Sequence, residues 1–275
     1  MSNRPNVLLL FSDEHRHDAM GCAGHERVKT PHLDALAENG TRFTQAFTPS
    51  PICVPARAAL ATGQYVHQNR CWSNAEAYSG DPISWGHHLI EQGHRVDSIG
   101  KLHYRGGETH NGFEEEILPL YIRNGVGWIK GLLRDHEAFF DVSSYVREIG
   151  PGSDRYTDYD LGVTRAARQW LSDAGQAAPE KPWVLFVSWL RPHYPLTCPP
   201  EYYDLYPLDK MDSARFVSDA ELPSHPVTRT IRRNFNYDDA FDDAGRQMAR
   251  ASYYGLCSFL DAQIGAVLDT LDQSG

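Results

Sequence analysis

The sequence predicts an α/β fold in which a mostly parallel sheet lies between layers of helices. The 275 residues are enough for one sizeable domain with a full hydrophobic core. Strand-like runs at 6–11, 95–100 and 183–190 are separated by segments with helical patterns. This alternation favours parallel strands joined by helical crossovers. We therefore expect a single domain over residues 1–275.

The other elements follow from local signals along the chain. A Thr-Pro pair at 30–31 starts a helix that an Asn-Gly pair ends at 39–40. Alternation at 41–47 predicts a further strand, and a helix from Cys53 ends at Gly63. We expect three more helices, at 84–92, 158–174 and 242–271. Residues 105–150 are predicted to form loops and an insertion, and residues 195–240 a further loop.

Composition narrows the classes of partner. The formal net charge of −10 argues against nucleic acid, so an anionic substrate needs locally placed cations. No apolar run is long enough for a membrane span or a signal-peptide core, and we expect a cytoplasmic protein without a membrane partner. The five cysteines are scattered and do not suggest a disulfide framework.

Polar residues follow three of the predicted strands. Asp13 and Glu14 follow the first strand, Lys101 and His103 a middle one, and His193 the last. Ligands bind beyond the carboxyl ends of the strands in such sheets, so these side chains are predicted to converge there. An acidic pair on a rigid turn is a candidate site for a hard divalent cation.

The segment from Cys53 to Arg57 reads Cys-Val-Pro-Ala-Arg and indicates a reactive site. Pro55 in the first turn places Cys53 at a helix N-terminus, where free N–H groups and the helix dipole attract anions and lower thiol pKa values. Arg57, one turn further on, can face the same anion. The pattern predicts a site for a tetrahedral oxyanion beside a reactive group.

Two other interpretations use the same kinds of residue. A cysteine-dependent phosphatase needs an arginine six positions after its cysteine, and Ala59 occupies that position here. Zinc would need ligands such as His15, His17, Cys22 and His25, whose spacing is not that of a standard finger.

Four motifs in order resemble those of the type I sulfatases, which belong to the alkaline phosphatase superfamily together with phosphonate monoester hydrolases. They are the acidic pair at 13–14, Cys-x-Pro-x-Arg with a Thr-Gly end at 53–63, Gly-Lys-x-His at 100–103 and Pro-His-x-Pro at 192–195. The resemblance implies that a formylglycine-generating enzyme oxidises Cys53 to formylglycine. It also implies a metal site at Asp13, Glu14 and Cys53, with Ca²⁺ expected before Mn²⁺ or Mg²⁺.

The resemblance also implies roles for the remaining residues and a reaction. Cys53, Arg57, Lys101, His103 and His193 become the catalytic set, and Asn74 binds substrate together with Lys101 and His193. The expected function is hydrolysis of small-molecule sulfate esters. The alternatives are a phosphonate monoester or phosphodiester hydrolase on the same scaffold, or an inactive truncated domain.

Family members are typically much longer than this chain. They carry a second acidic metal-binding motif after the segment that corresponds to 242–271, so the C-terminal part of the family fold is expected to be missing here. The resemblance therefore implies weak metal binding and poor or no activity for these residues alone. We also expect an exposed sheet edge and apolar helix faces, which would favour association into a homo-oligomer.

Overall fold

A computed structural model describes residues 4–127, 148–177, 181–212, 225–226, 228–230 and 241–274. The main sheet has four parallel strands in the spatial order β1, β5, β2, β3. Their bounds are Val7–Asp13 for β1, Arg95–Lys101 for β2, Glu115–Leu120 for β3 and Trp183–Pro192 for β5. A second pair of short parallel strands consists of β4, Gly150–Pro151, and β6, Thr197–Cys198.

Seven α-helices have complete bounds in the described part of the chain, which also contains three 3₁₀-helices, Gly21–Ala23, Arg123–Gly125 and Leu208–Lys210. The bounds of the α-helices are Pro31–Asn39 for α1, Cys53–Thr62 for α2, Val66–Asn69 for α3, Trp85–Glu91 for α4, Arg155–Ala177 for α5, Pro200–Tyr203 for α6 and Asp243–Ser274 for α7.

Strand β5 is the centre of the core, and all ten of its residues are buried. Successive side chains of a strand point to opposite faces of the sheet, so β5 supplies apolar residues to both sides. Leu185 and Val187 join a cluster that contains residues of α5 and α7. Val184 and Phe186 join a second cluster with residues of α2 and α4. Helices therefore cover both faces, as the sequence predicts.

Two predictions about the elements are wrong. The 41–47 segment is not a strand: it is exposed throughout, including Phe43 and Phe47, and it pairs with nothing in the described sheets. Strand β3 lies inside the 105–150 stretch expected to be loop. The parts of the two predicted loops at 128–147, 213–224, 227 and 231–240 lie outside the described residues.

None of the described helices is both long enough and apolar enough to cross a lipid bilayer.

Candidate active site

The carboxyl ends of three strands and the N-terminus of α2 meet at one edge of the sheet. Asp13 is the last residue of β1, Lys101 is the last of β2, and His193 follows β5. Asp13 lies in register with Pro192, so the first and last of these strand ends are direct neighbours. Cys53 is the first residue of α2, which places it opposite these ends.

Asp13 is the centre of a buried charge cluster. Its carboxylate forms ion pairs with Lys101 Nζ and, at 3.3 Å, with Arg57 Nη2. The three side chains are 9%, 1% and 3% exposed, respectively, so solvent screens the pairs weakly. Burial alone would raise the pKa of Asp13, but the charges of Lys101 and Arg57 outweigh it and hold that pKa well below its usual range.

Cys53 projects into the same cluster. Its Sγ lies 3.6 Å from Asp13 Oδ1 and 3.8 Å from Lys101 Nζ. The expected lowering of its thiol pKa is wrong: burial raises the pKa, Lys101 opposes that shift, and the nearby Asp13 charge adds to it. Desolvation therefore outweighs the charges of Lys101 and Arg57. The unmodified thiol is a weak nucleophile in this environment.

Arg57 is fixed by hydrogen bonds before any ligand arrives. Its Nη1 donates to the Lys101 carbonyl oxygen at 2.5 Å and to Ser188 Oγ at 3.0 Å, while its guanidinium lies 4.9 Å above the Phe11 ring. Residues four apart lie on the same face of a helix, which is why Cys53 and Arg57 reach one site. Ser188 was not among the predicted site residues, although a serine within the apolar 183–190 run is a visible signal.

Glu14 faces away from Asp13 towards the end of β5. Its Oε1 lies 3.4 Å from His193 Nε2, and its carboxylate accepts a hydrogen bond from the Tyr194 backbone. Burial and the neighbouring Asp13 charge raise the pKa of Glu14, although 45% of its side chain stays exposed. Glu14 lines the same cavity as Asp13 and Cys53 but is not part of the three-donor group found among the described residues, so its role as a metal ligand stays a prediction.

The imidazole of His193 is held on both nitrogens. Nδ1 lies 2.5 Å from the Tyr194 carbonyl oxygen, which can only accept, so Nδ1 is the donor. Burial and the Lys101 charge lower the pKa of His193. When the ring is neutral and its proton is on Nδ1, Nε2 can only accept a hydrogen bond. A hydrogen bond between Nε2 and the Glu14 carboxyl group therefore requires a proton on one of these two groups.

His103 lies close to the positive charges of Lys101 and Arg57, which disfavour a protonated imidazole. Burial, then the charges of Lys101 and Arg57, lower its pKa to about 2. Its Nδ1 is buried and has no hydrogen-bond partner among the residues that the structure describes. The structure therefore gives His103 a neutral imidazole at neutral pH.

Asn74 caps the first turn of α2. Its Oδ1 accepts the Val54 backbone N–H at 3.0 Å, which satisfies one of the free donors at that helix end. Asn74 thus holds the helix turn that presents Cys53, and it also lines the adjoining cavity.

A cavity of about 1290 Å³ opens beside the cluster. Asp13, Glu14, Cys53, Arg57 and His193 all line it, whereas Lys101 and His103 are not among its lining residues. Its outer wall is apolar and includes residues that are otherwise largely exposed: Phe47, Ile52 and Tyr65. The site therefore combines a charged floor with an apolar wall.

The residues at the floor of the cavity supply some of the ligands that a divalent cation needs. Among the described residues, one group of three donors could hold a metal ion: Asp13, Cys53 and His193, with ligand atoms within 4.8 Å of one another. A buried carboxylate with a second carboxylate on the next residue suits a hard cation, although six to eight oxygen ligands would be needed for calcium. The candidate zinc ligands, from His15 to His25, do not form such a group in the described part of the chain.

Comparison with known proteins agrees with this architecture. The family model described as Sulfatase matches residues 5–275, and the chain belongs to the sulfatase family, within the alkaline phosphatase superfamily. The choline-sulfatase of Rhizobium meliloti (strain 1021) is 27% identical over 299 residues, a match that covers 99% of this chain and 55% of the relative. Arylsulfatase K of Danio rerio is 24% identical over 292 residues, and this match covers 99% of the present chain and 52% of the relative.

Among solved structures, the phosphonate monoester hydrolase of Agrobacterium radiobacter superposes with a TM-score of 0.75. It is 23% identical, and the match covers 99% of this chain and 60% of that one, so the likeness concerns the fold. The chain spans about half the length of the curated relatives it matches.

Proposed function

We propose that this chain contributes to the hydrolysis of sulfate esters, with a formylglycine made from Cys53 as the nucleophile. The observation that carries the proposal is the position of the Cys53 side chain, within 4 Å of both Asp13 and Lys101 and at the floor of an open cavity. Because the thiol pKa is raised, the unmodified side chain is poorly suited to attack. An oxidised side chain at the same position removes that difficulty.

The reaction follows from the chemistry of a hydrated aldehyde. One hydroxyl of the hydrate attacks sulfur, the bond from sulfur to the alcohol oxygen breaks, and the sulfate group stays on residue 53. The second hydroxyl then loses its proton and expels sulfate, which restores the aldehyde. A formylglycine-generating enzyme is the partner that this route requires.

The fixed cations suit the charge that this reaction develops. Arg57 lines the cavity and Lys101 Nζ lies 3.8 Å from Cys53 Sγ, so both fixed cations are close to where the non-bridging oxygens would lie in this proposal. Asp13, with Glu14 and residue 53, is proposed to hold a divalent cation, with Ca²⁺ expected before Mn²⁺ or Mg²⁺. Such a cation lowers the pKa of a coordinated hydroxyl.

The two histidines, His193 and His103, have separate roles in this proposal. His193 lines the cavity and shares a proton with Glu14, which makes it the candidate donor to the leaving alcohol. His103 is the candidate base or hydrogen-bond partner when sulfate is expelled, and its pKa of about 2 makes it a weak base, so the hydrogen-bond role is the favoured one. Asn74 holds the turn behind residue 53 and lines the cavity where substrate binds.

The second candidate is hydrolysis of phosphonate monoesters. The buried cations recognise a tetrahedral oxyanion and do not by themselves distinguish sulfur from phosphorus. The likeness to a phosphonate monoester hydrolase supports this scaffold at the level of the fold. Turnover of a matched pair of aryl esters, one sulfate and one phosphonate, separates the two: dominant phosphonate turnover rejects the sulfatase assignment.

The test of the shared mechanism is Cys53→Ala in protein made together with a formylglycine-generating enzyme. We expect aryl ester hydrolysis to fall by at least about a thousandfold, because the nucleophile is removed. Cys22→Ala is the matched control, since Cys22 is a half-buried free cysteine outside the cavity lining. Equal activity of Cys53→Ala and Cys22→Ala contradicts the proposal.

A further inference from the structure

Tyr253 joins the long helix α7 to the backbone on both sides of His15. Its hydroxyl accepts the Arg16 N–H at 2.8 Å and donates to the Glu14 carbonyl oxygen at 2.7 Å. These contacts span 237 and 239 residues of sequence. The hydroxyl also contacts the Cys257 thiol one turn further along α7. One phenol therefore fixes two backbone groups next to the predicted metal ligands.

The backbone that Tyr253 bridges is in an unusual conformation. Glu14 has φ of 61°, in the left-handed region that non-glycine residues seldom adopt. The pairing register between β1 and β5 also shifts between Phe11 and Asp13. A left-handed residue of this kind persists only when its surroundings hold it. The two hydrogen bonds to Tyr253 fix the carbonyl of the left-handed residue itself and the Arg16 N–H two residues later, and so supply such a hold.

The turn at Glu14 decides where two adjacent carboxylates point. Asp13 faces Lys101 and Arg57, while Glu14 reaches His193 and the Tyr194 backbone. Residues adjacent in an extended strand would send their side chains to opposite faces of the sheet. The left-handed turn instead keeps both carboxylates at the cavity, which both residues line.

Neighbouring side chains of α7 hold other parts of the same loop but do not reach this turn. Tyr254 contacts His25, with Oη 3.2 Å from Nε2, and Ser258 donates to the Lys29 carbonyl oxygen. Asp261 accepts backbone N–H groups from the first turn of α1. These contacts lie well along the chain from Asp13, so they anchor the loop and not the acidic pair.

We propose that Tyr253 is a positioning residue that fixes the Asp13–Glu14 turn for cation binding and thereby holds Glu14 against His193. The proposal rests on the proposed function for the role of the site. It does not depend on which ester is hydrolysed. Loss of the phenol oxygen frees the Arg16 N–H and the Glu14 carbonyl, so the turn relaxes and the two carboxylates lose their alignment.

The test compares Tyr253→Phe with Tyr254→Phe, which remove one hydroxyl each from adjacent positions of the same helix. Three measurements are made on each protein: hydrogen exchange of the Arg16 amide by NMR, Mn²⁺ affinity by calorimetry, and steady-state kinetics of aryl sulfate hydrolysis, which give kcat and KM. In Tyr253→Phe we expect Arg16 exchange at least about tenfold faster, Mn²⁺ affinity about tenfold weaker, and a lower kcat with KM nearly unchanged. Tyr254→Phe keeps all three values close to those of the unsubstituted protein.

The outcomes separate this proposal from the proposed function. Faster Arg16 exchange with unchanged Mn²⁺ affinity gives Tyr253 a structural role only and overturns the proposal, as does an unsubstituted protein that binds no Mn²⁺. Equal Mn²⁺ affinities of the two variants also overturn it. Absence of ester hydrolysis rejects the proposed function alone, because exchange and Mn²⁺ affinity still report on Tyr253.

Discussion

Lys101→Met tests whether the buried charge cluster is organised as described. The substitution keeps an unbranched side chain of similar length at a position that is 1% exposed, but removes the cation that pairs with Asp13. Breaking a buried ion pair by removing one partner costs about 3–5 kcal/mol. Arg57 remains 3.3 Å from Asp13, so we expect the lower end, about 3 kcal/mol.

The free energy of unfolding is measured by urea denaturation of chelator-treated protein. With a denaturant slope of about 3 kcal/mol per molar, the loss corresponds to a midpoint lower by about 1 M urea. Lys181→Met is the control, because Lys181 is exposed and its Nζ donates to a backbone oxygen, the Gln92 carbonyl, at 3.1 Å. The control is expected to change stability by less than about 0.5 kcal/mol.

A second substitution shows whether the loss comes from the Lys101–Asp13 ion pair. Asp13→Asn alone takes the carboxylate from both Lys101 and Arg57, whereas in the Lys101→Met background it takes the carboxylate from Arg57 only, so the loss in the double variant is expected to be smaller than the sum of the two single losses. Additive losses would refute the ion-pair explanation. So would a Lys101→Met variant as stable as Lys181→Met.

Three further predictions follow from individual contacts. Asn74→Ala removes the acceptor of the Val54 N–H and is expected to lower the free energy of unfolding by about 1 kcal/mol. The melting temperature should fall by about 2–4 °C, and an unchanged melting temperature would refute the capping role of Asn74. Gly100→Ala places a Cβ against the Ser188 carbonyl oxygen, at a residue whose φ is 99°. The free energy of unfolding in urea is expected to fall by more than about 3 kcal/mol, and an unchanged value would contradict this packing. Alkylation of unmodified Cys53 by iodoacetamide is expected to be slow at pH 7 and to keep rising above pH 9, because its pKa is raised and the thiolate forms only at higher pH; a plateau below pH 8 would show a lowered pKa instead.

Much of the candidate site could be predicted because chain topology brings it together. Parallel strands end at one edge of their sheet, so Asp13, Lys101 and His193 meet there although they lie far apart in sequence. Cys53 and Arg57 share a helix face through their spacing of four. These relations depend on periodicity and connectivity, which a sequence displays directly.

The failures have physical reasons of their own. Alternation at 41–47 resembles a strand, but a strand also needs a partner edge, and the described sheets offer none at that segment. Strand β3 was missed because it contains Pro119 and glutamates, which an edge strand tolerates. The raised pKa of Cys53 depends on how deeply the thiol is buried, and the Tyr253 contact with Glu14 crosses 239 residues. Neither quantity can be obtained from local sequence.

The most direct test of the account is mass spectrometry of the peptide that contains position 53, from protein produced with a formylglycine-generating enzyme. The account predicts the aldehyde, and a sulfated form of the same residue when turnover of an aryl sulfate is quenched rapidly. An intact thiol at position 53 in protein that nevertheless hydrolyses the ester would contradict it.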